Sequence, residues 1–155
     1  MDQQQFRELL REVYALSPAG NGELGDGFAF YSNDGVLSVC GESSGSLGFG
    51  IMSGLTPTFE LLAAVARLNE RMTYGHYWLA EGADNSNWSL ICGFKFPYAN
   101  ADRQRAGELI YGVLQSHGAM ADAARAEIGD VPSRPYVAMP ENPEAQAIIL
   151  MGHLG

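Results

Sequence analysis

Along the first residues of the chain, apolar side chains recur at Phe6, Leu9, Leu10, Val13 and Tyr14. That spacing predicts one face of a helix. Asp2 precedes the run and Gln5 stands three residues on, the pattern of a reciprocal N-terminal cap. Ser17-Pro18-Ala19-Gly20 predicts its end. The period then shortens to that of strands. Phe28 and Phe30 alternate with small neighbours, Asn33-Asp34-Gly35 signals a tight turn, and Val36 to Cys40 completes a hairpin. Leu47, Phe49 and Ile51 then alternate with Gly48 and Gly50. One face of that strand is bulky and the other almost bare, which marks a bulge or a close approach by another backbone.

Helical spacing returns at Leu61, Leu62, Val65, Leu68 and Met72, with Thr56 and Pro57 as cap and first residue and Tyr74-Gly75 as the stop. His76 to Ala80 reads as a strand. After the loop Gly82–Asn87, Trp88, Leu90, Cys92, Phe94 and Phe96 alternate until Pro97. Asn100 is expected to cap a long third helix. Its apolar stripe runs from Ala106 through Leu109, Ile110, Val113 and Leu114 to Ile128, with a kink or break near Gly118. From Val131 the character changes: Pro132, Pro135, Pro140 and Pro143 imply an extended segment, with room for a short strand at Tyr136-Val137-Ala138. The run Ala145–Leu154 is apolar enough to dock as a short helix. The order α-β-β-β-α-β-β-α predicts an α+β fold with a five-stranded antiparallel sheet flanked by helices. Residues 1–130 form the domain and 131–155 a proline-rich tail.

Charge narrows the choice of partner. Acidic residues number 18 against 9 basic, a net charge of −9. Lys95 is the single lysine, and the eight arginines are scattered. A nucleic-acid binder needs clustered cations to displace counterions. The expected partner list therefore holds no nucleic acid and no anionic membrane. Charged residues make up 17% of the chain, below the roughly 25% of ordinary domains. Such a neutral surface is expected to be covered in part, by a second copy as a homodimer or by another protein. No signal-peptide pattern and no apolar run of membrane-spanning length is visible, so the expected compartment is the cytoplasm. Cys40 and Cys92 sit in apolar strand runs without a CxxC spacing, and core packing is their expected role.

Two motifs could carry chemistry. Gly41-Glu42-Ser43-Ser44-Gly45 matches the G-x-S-x-G elbow of hydrolases, but it leads into a strand where an elbow leads into a helix. Gly20-Asn21-Gly22-Glu23-Leu24-Gly25 matches G-x-G-x-x-G, but it runs from helix to strand, the reverse of the dinucleotide-binding order. A glycine-serine turn and a mobile loop are the plainer readings. His76, His117 and His153 have no second ligand at metal spacing. No cofactor, no metal and no enzymatic activity are expected.

The stretch Leu61 to Asn69, leading into Tyr74-Gly75-His76-Tyr77-Trp78, then Trp88-Ser89-Leu90 and Phe94-Lys95-Phe96-Pro97, resembles the YbjN and type III secretion chaperone-like superfamily. Leu68-Asn69 fills the helix-ending step of that pattern and Phe96-Pro97 the step before the long helix. The resemblance spans residues 1–128 and leaves out the tail. It implies an antiparallel sheet with flanking helices, often dimeric, and a chaperone-like domain that holds a partner segment on apolar grooves and a sheet edge. Leu47, Phe49 and Ile51 on the glycine-bearing strand, with Trp78 and Trp88 on the sheet, are the expected partner-binding residues. The alternatives are a small-molecule-binding regulatory domain, with a cleft near Trp88 and the Gly82–Asn87 loop, and a serine hydrolase using Ser43.

Overall fold

The structure is a computed structural model that describes residues 1–15, 21–24, 27–31, 37–41, 45–82 and 84–136, with side chains described for 1–13, 45–82, 84–134 and 136. The Asn33-Asp34-Gly35 turn, Ser43 and most of its elbow, His153 and the apolar C-terminal run lie outside the described residues.

Helix α1, Gln3–Ala15, opens with the expected reciprocal cap. Asp2 Oδ1 accepts from the Gln5 N–H at 2.8 Å, and Gln5 Oε1 accepts from the Asp2 N–H at 2.9 Å. Helix α2, Phe59–Glu70, starts two residues later than Thr56-Pro57 implied. Thr58 takes the cap, its hydroxyl accepting from the Leu61 N–H at 3.2 Å. The long third helix is two. Helix α3, Arg103–Gln115, is capped by Asp102, because Tyr98–Asn100 form a 3-10 turn first. Helix α4, His117–Ile128, follows a break at Ser116, two residues before Gly118. There the Ser116 hydroxyl turns back to donate to the Val113 carbonyl at 2.7 Å, competing with the helical ladder.

The strands are β1 Asn21–Leu24, β2 Gly27–Tyr31, β3 Leu37–Gly41, β4 Ser46–Leu55, β5 His76–Ala80, β6 Trp88–Lys95 and β7 Arg134–Pro135. They form one sheet in the order β1-β2-β3-β4-β6-β5, with β7 also against β4. Every pairing is antiparallel. The α+β class stands, but the count of five does not, since the described residues hold seven strands. β1 lies in the glycine-rich stretch read as a loop, and backbone pairing needs no apolar signal. β7 begins at Arg134 and contains Pro135, which an edge position tolerates because no ladder N–H is required there. β4, β6 and β5 carry the described side chains that pack against the helices.

β4 explains the core. Its register with β6 slips between Gly50 and Met52, and again between Met52 and Leu55. These bulges bring Ile51 and Met52 into the core together with Leu47, Phe49 and Leu55. Leu47, Phe49 and Ile51 are only 2%, 0% and 1% exposed. Phe49 and Ile51 offer no surface to a partner and Leu47 almost none, which corrects the reading of these three as partner-binding residues. Helices α1 to α4 cover that side. Burying each such side chain contributes roughly 1.5–3 kcal/mol. The bare side is filled too: the Tyr136 ring lies over Gly50, where an added Cβ would sit 2.1 Å from Cδ1.

The tryptophans do not share a face. Trp78 is paired with Ile91, whereas Trp88 has the same parity as Leu90 and Cys92 on the helix side. Cys40 pairs with Leu47, and Leu47 with Phe94, so β4 separates Cys40 from Cys92. Two strand spacings are about 10 Å, beyond the ~7 Å between Cα atoms that a disulfide spans.

Candidate binding groove

The end of β6 opposite the Gly82–Asn87 loop opens into a groove. Its first wall is the connector from α2 to β5, Met72-Thr73-Tyr74-Gly75. Gly75 has φ +76, and a Cβ there would meet the Gly93 carbonyl oxygen at 2.4 Å and the Phe94 ring at 2.6 Å. Only glycine allows both the turn and the close approach. The second wall is β6 and its exit, Phe94 to Pro97; the third is α3, with Leu109, Ile110, Gly112 and Val113. Ser116 at the break and Met120 on α4 close the end, and Leu47 reaches the floor. The volume is about 550 Å³. Tyr74 is 71% and Leu109 43% exposed at the rim. Lys95 is the sole charged residue in the lining.

The walls are held from behind. The Phe49 ring packs edge-on to Phe94 at 6.1 Å and against buried His117 at 4.8 Å. Phe6 stacks on Tyr98 at 4.3 Å and on Phe96 at 6.1 Å, tying α1 to the chain that leaves β6. The Tyr77 hydroxyl donates to the Met120 carbonyl at 3.0 Å. Burial, helped by neighbouring Cys92, pushes that phenol up to about 12. Burial alone pushes the Cys92 thiol up to about 12, and its Sγ lies 3.5 Å from Met120 Sδ. A thiol so far from ionisation is a packing group, not a nucleophile. Glu127 on α4 accepts from Arg67 of α2 and from Arg71 just past its end, and these hydrogen bonds, Arg67's first, hold its carboxyl below the usual range.

Asn69 fixes the sheet edge next to the groove. Its Nδ2 donates to the Tyr77 carbonyl at 3.0 Å, and its Oδ1 accepts from the Tyr77 N–H at 2.7 Å. β5 ends the described sheet. The Asn69 amide thus occupies backbone groups that an added strand would need. This pair explains why the Leu68-Asn69 step carries structural information: Leu68 fills the core and Asn69 clamps the edge.

Of the residues read from the sequence as partner-binding, only Leu47 touches the groove, and it does so from the buried floor. Phe49 and Ile51 are buried and do not line it. Trp78 is half-buried with its ring 4.8 Å from that of His76. Trp88 packs against the core from the far end of the hairpin. The loop beside Trp88 ties up its own polar groups. Asp84 accepts from the Ser86 N–H at 2.8 Å and the Ser86 hydroxyl at 2.6 Å, and Asn87 accepts from Arg134 at 2.7 Å. Sequence reasoning missed Met72, Tyr74, Lys95, Leu109 and Met120 as one site. The available signal was an exposed Tyr-Gly turn and an apolar-Pro exit flanking the strand hairpin. Among the described residues no group of three or more His, Cys, Asp or Glu is placed to hold a metal. No helix among them is long and apolar enough to cross a membrane.

Comparison with solved structures finds the same architecture in YbjN from E. coli, described provisionally as a transcription regulator. The match has a TM-score of 0.53 at 16% identity, and covers 76% of this chain and 87% of that one. The chain has a YbjN-like fold. No family model matches it, and no curated protein does. At this identity the likeness concerns the fold alone. The YbjN-like part of the sequence resemblance therefore stands, and the segments that carried it are those that build the groove and the clamp: Leu68-Asn69, Tyr74-Gly75 and Phe94 to Pro97.

Proposed function

We propose that this domain is a non-enzymatic, chaperone-like binding module that holds an apolar segment of another polypeptide in the groove between α3 and the end of β6. The single observation that supports it is the trough itself. A space of about 550 Å³, apolar nearly throughout and rimmed by exposed Tyr74 and Leu109, has room for several apolar side chains. Water released from such a surface favours binding. Met72 and Met120 suit the walls, because unbranched thioethers adapt to differing guests. The Asn69 clamp directs recognition to side chains rather than to strand addition at β5.

An array of short immobilised peptides probed with the wild-type domain and with Leu109→Asp tests the reading. Leu109 is at the rim, so the variant folds, as circular dichroism would verify. Peptides rich in Leu and Phe should be retained by the wild type and lost at least about tenfold in the variant, which buries a carboxylate beside the guest. An unchanged set of bound peptides would refute the groove. Homodimer formation belongs to the same reading: Phe59 and Leu62 on α2 are 81% and 54% exposed. Light scattering reads it, and a strict monomer at high concentration removes it.

A second reading has one observation in its favour. The groove volume falls within the range of roughly 300–1,000 Å³ found for small-molecule sites. A regulatory ligand would then sit against Phe94 and Leu109 rather than near Trp88. Thermal-shift screening separates the two, since a metabolite at a hundred times its Kd stabilises a domain by about 2.7 kcal/mol.

A further inference from the structure

We infer that the face of the sheet turned away from the helices is a docking surface for the chain's own residues 137–155, which lie outside the described residues. The inference goes beyond the groove and does not depend on it. Ile91 is 0% and Tyr136 6% exposed within a single chain, yet neither belongs to the core that α1 to α4 close over. Strand register puts Ile91 on the other face, and the Tyr136 ring lies there too. Ile91 pairs with Gly50 and with Trp78, and the Tyr136 ring lies over Gly50. Beside this row Gly48 pairs with Gly93, and both glycines are buried as well. Glycine has no side chain to cover its own backbone, and a ring resting on a sheet leaves its outer side open. All four helices contribute to the core on the opposite side. A further layer of this same chain therefore closes over Ile91, Tyr136 and the glycines.

Topology selects the segment. Residues 16–44 build or connect β1, β2 and β3, which extend the layer sideways from β4. The chain after Tyr136 is placed differently. Tyr136 donates its N–H to the Ile51 carbonyl, and two residues further along β4, Phe49 is already paired with Ser38 of β3. The chain must leave the layer there. The helix side is filled by the packed core, so the way out is on the side of the Tyr136 ring. The sequence suits that place. Residues 137–155 include Ile148-Ile149-Leu150-Met151 and, apart from Glu141 and Glu144, no Asp, Glu, Lys or Arg. Such a run gains by leaving water. Gly48 and Gly93 leave a shallow bed beside Tyr136 and Trp78, where another backbone can come close. From Gly50 to Trp78 is two strand spacings, about 10 Å. The residues before Ile148 span far more than that at roughly 3.3 Å each.

Photo-cross-linking in the full chain tests this. The photoreactive residue p-benzoylphenylalanine replaces His76, which is exposed and pairs with Gly93 at the border of this face. A second variant carries it at Trp78, opposite Ile91, and a control carries it at exposed Tyr111 on α3. After irradiation the joined peptides are mapped by mass spectrometry. The expected result is a link from at least one of the two probes to residues 137–155 of the same chain, with no such link from the control. Changing Ile148, Ile149 and Leu150 together to Ser should abolish it, with circular dichroism verifying that the fold persists. Links from both probes to residues 16–44 only, links to a second copy (a doubled mass under denaturing conditions), no link at all, equal linking from the control, or links that survive the triple change overturn the inference. None of these results bears on the groove.

Discussion

Replacing Gly50 with alanine places a methyl group 2.1, 2.3 and 2.5 Å from Cδ1, Cγ and Cε1 of Tyr136. Ordinary carbon contacts lie near 3.5–4.0 Å, so the ring must move by more than an ångström. It has little freedom to do so: its own N–H donates to the Ile51 carbonyl at 3.3 Å, and Met52 and Ser53 pair with the two residues before it. Complete expulsion of the ring would return about 150–200 Å² to water, or about 4–5 kcal/mol. Partial accommodation by shifted backbone costs about 1–3 kcal/mol. Alanine also restricts the unfolded chain, which returns about 0.5–1 kcal/mol. The net expectation is a loss of about 2–3 kcal/mol, read as a lowered urea midpoint with an unchanged slope. A double-mutant cycle isolates the cause. In a Tyr136→Ala background, Gly50→Ala should be neutral or stabilising. An equal cost in both backgrounds would refute the claim that the glycine is there for the ring.

Other outcomes follow from the same geometry. Asn69→Ala removes two hydrogen bonds to Tyr77 and should cost about 1–3 kcal/mol. It should speed exchange of the Tyr77 amide and raise concentration-dependent association through the opened edge. An unchanged exchange rate would refute the clamp. Cys92 has an ordinary value of 9.0 and is raised to about 12 in the fold. The unfolded state therefore loses its proton first, and stability should fall as pH rises from about 9 towards 12. At pH ~10.5 the thiol term is about 2 kcal/mol. Urea midpoints of wild type and Cys92→Ala across that range should converge as pH rises, and parallel curves would refute the burial effect. Gly112 meets nothing within 4 Å, so Gly112→Ala should stabilise α3 by about 1 kcal/mol. It should also narrow the groove and weaken peptide binding.

The local signals in the sequence were accurate where one element decides the outcome. Asp2 and Gln5 form the cap that their spacing implied. The bare glycine face of β4 announced the register slip after Gly50, although what approaches that glycine is the ring of Tyr136 and not another backbone. Capping was misplaced by two residues at Thr58 and Asp102, because a neighbouring Thr or Asn reads as well until the preceding turn is known. The burial of Leu47, Phe49 and Ile51 was not legible, because alternation says that a strand has two faces and not what covers them. The groove was hidden for a related reason. Its walls come from residues 72–75, 94–97 and 109–120, which only the assembled sheet and helices bring together.

The two slips in β4 give the strand spare length. At an ordinary position, removing one residue would exchange every later side chain between the core and the opposite face. Ile51 is different, because Gly50 still pairs with Ile91 and Met52 with Leu90 around it. Taking it out would leave those alignments intact. The spare residue is also the one whose carbonyl receives Tyr136. The place where β4 can lose a residue without turning its later side chains to the other face is therefore where the last described strand is fastened, and a shortened β4 would keep its alignment with β6 while losing that attachment and the buried Ile51 side chain.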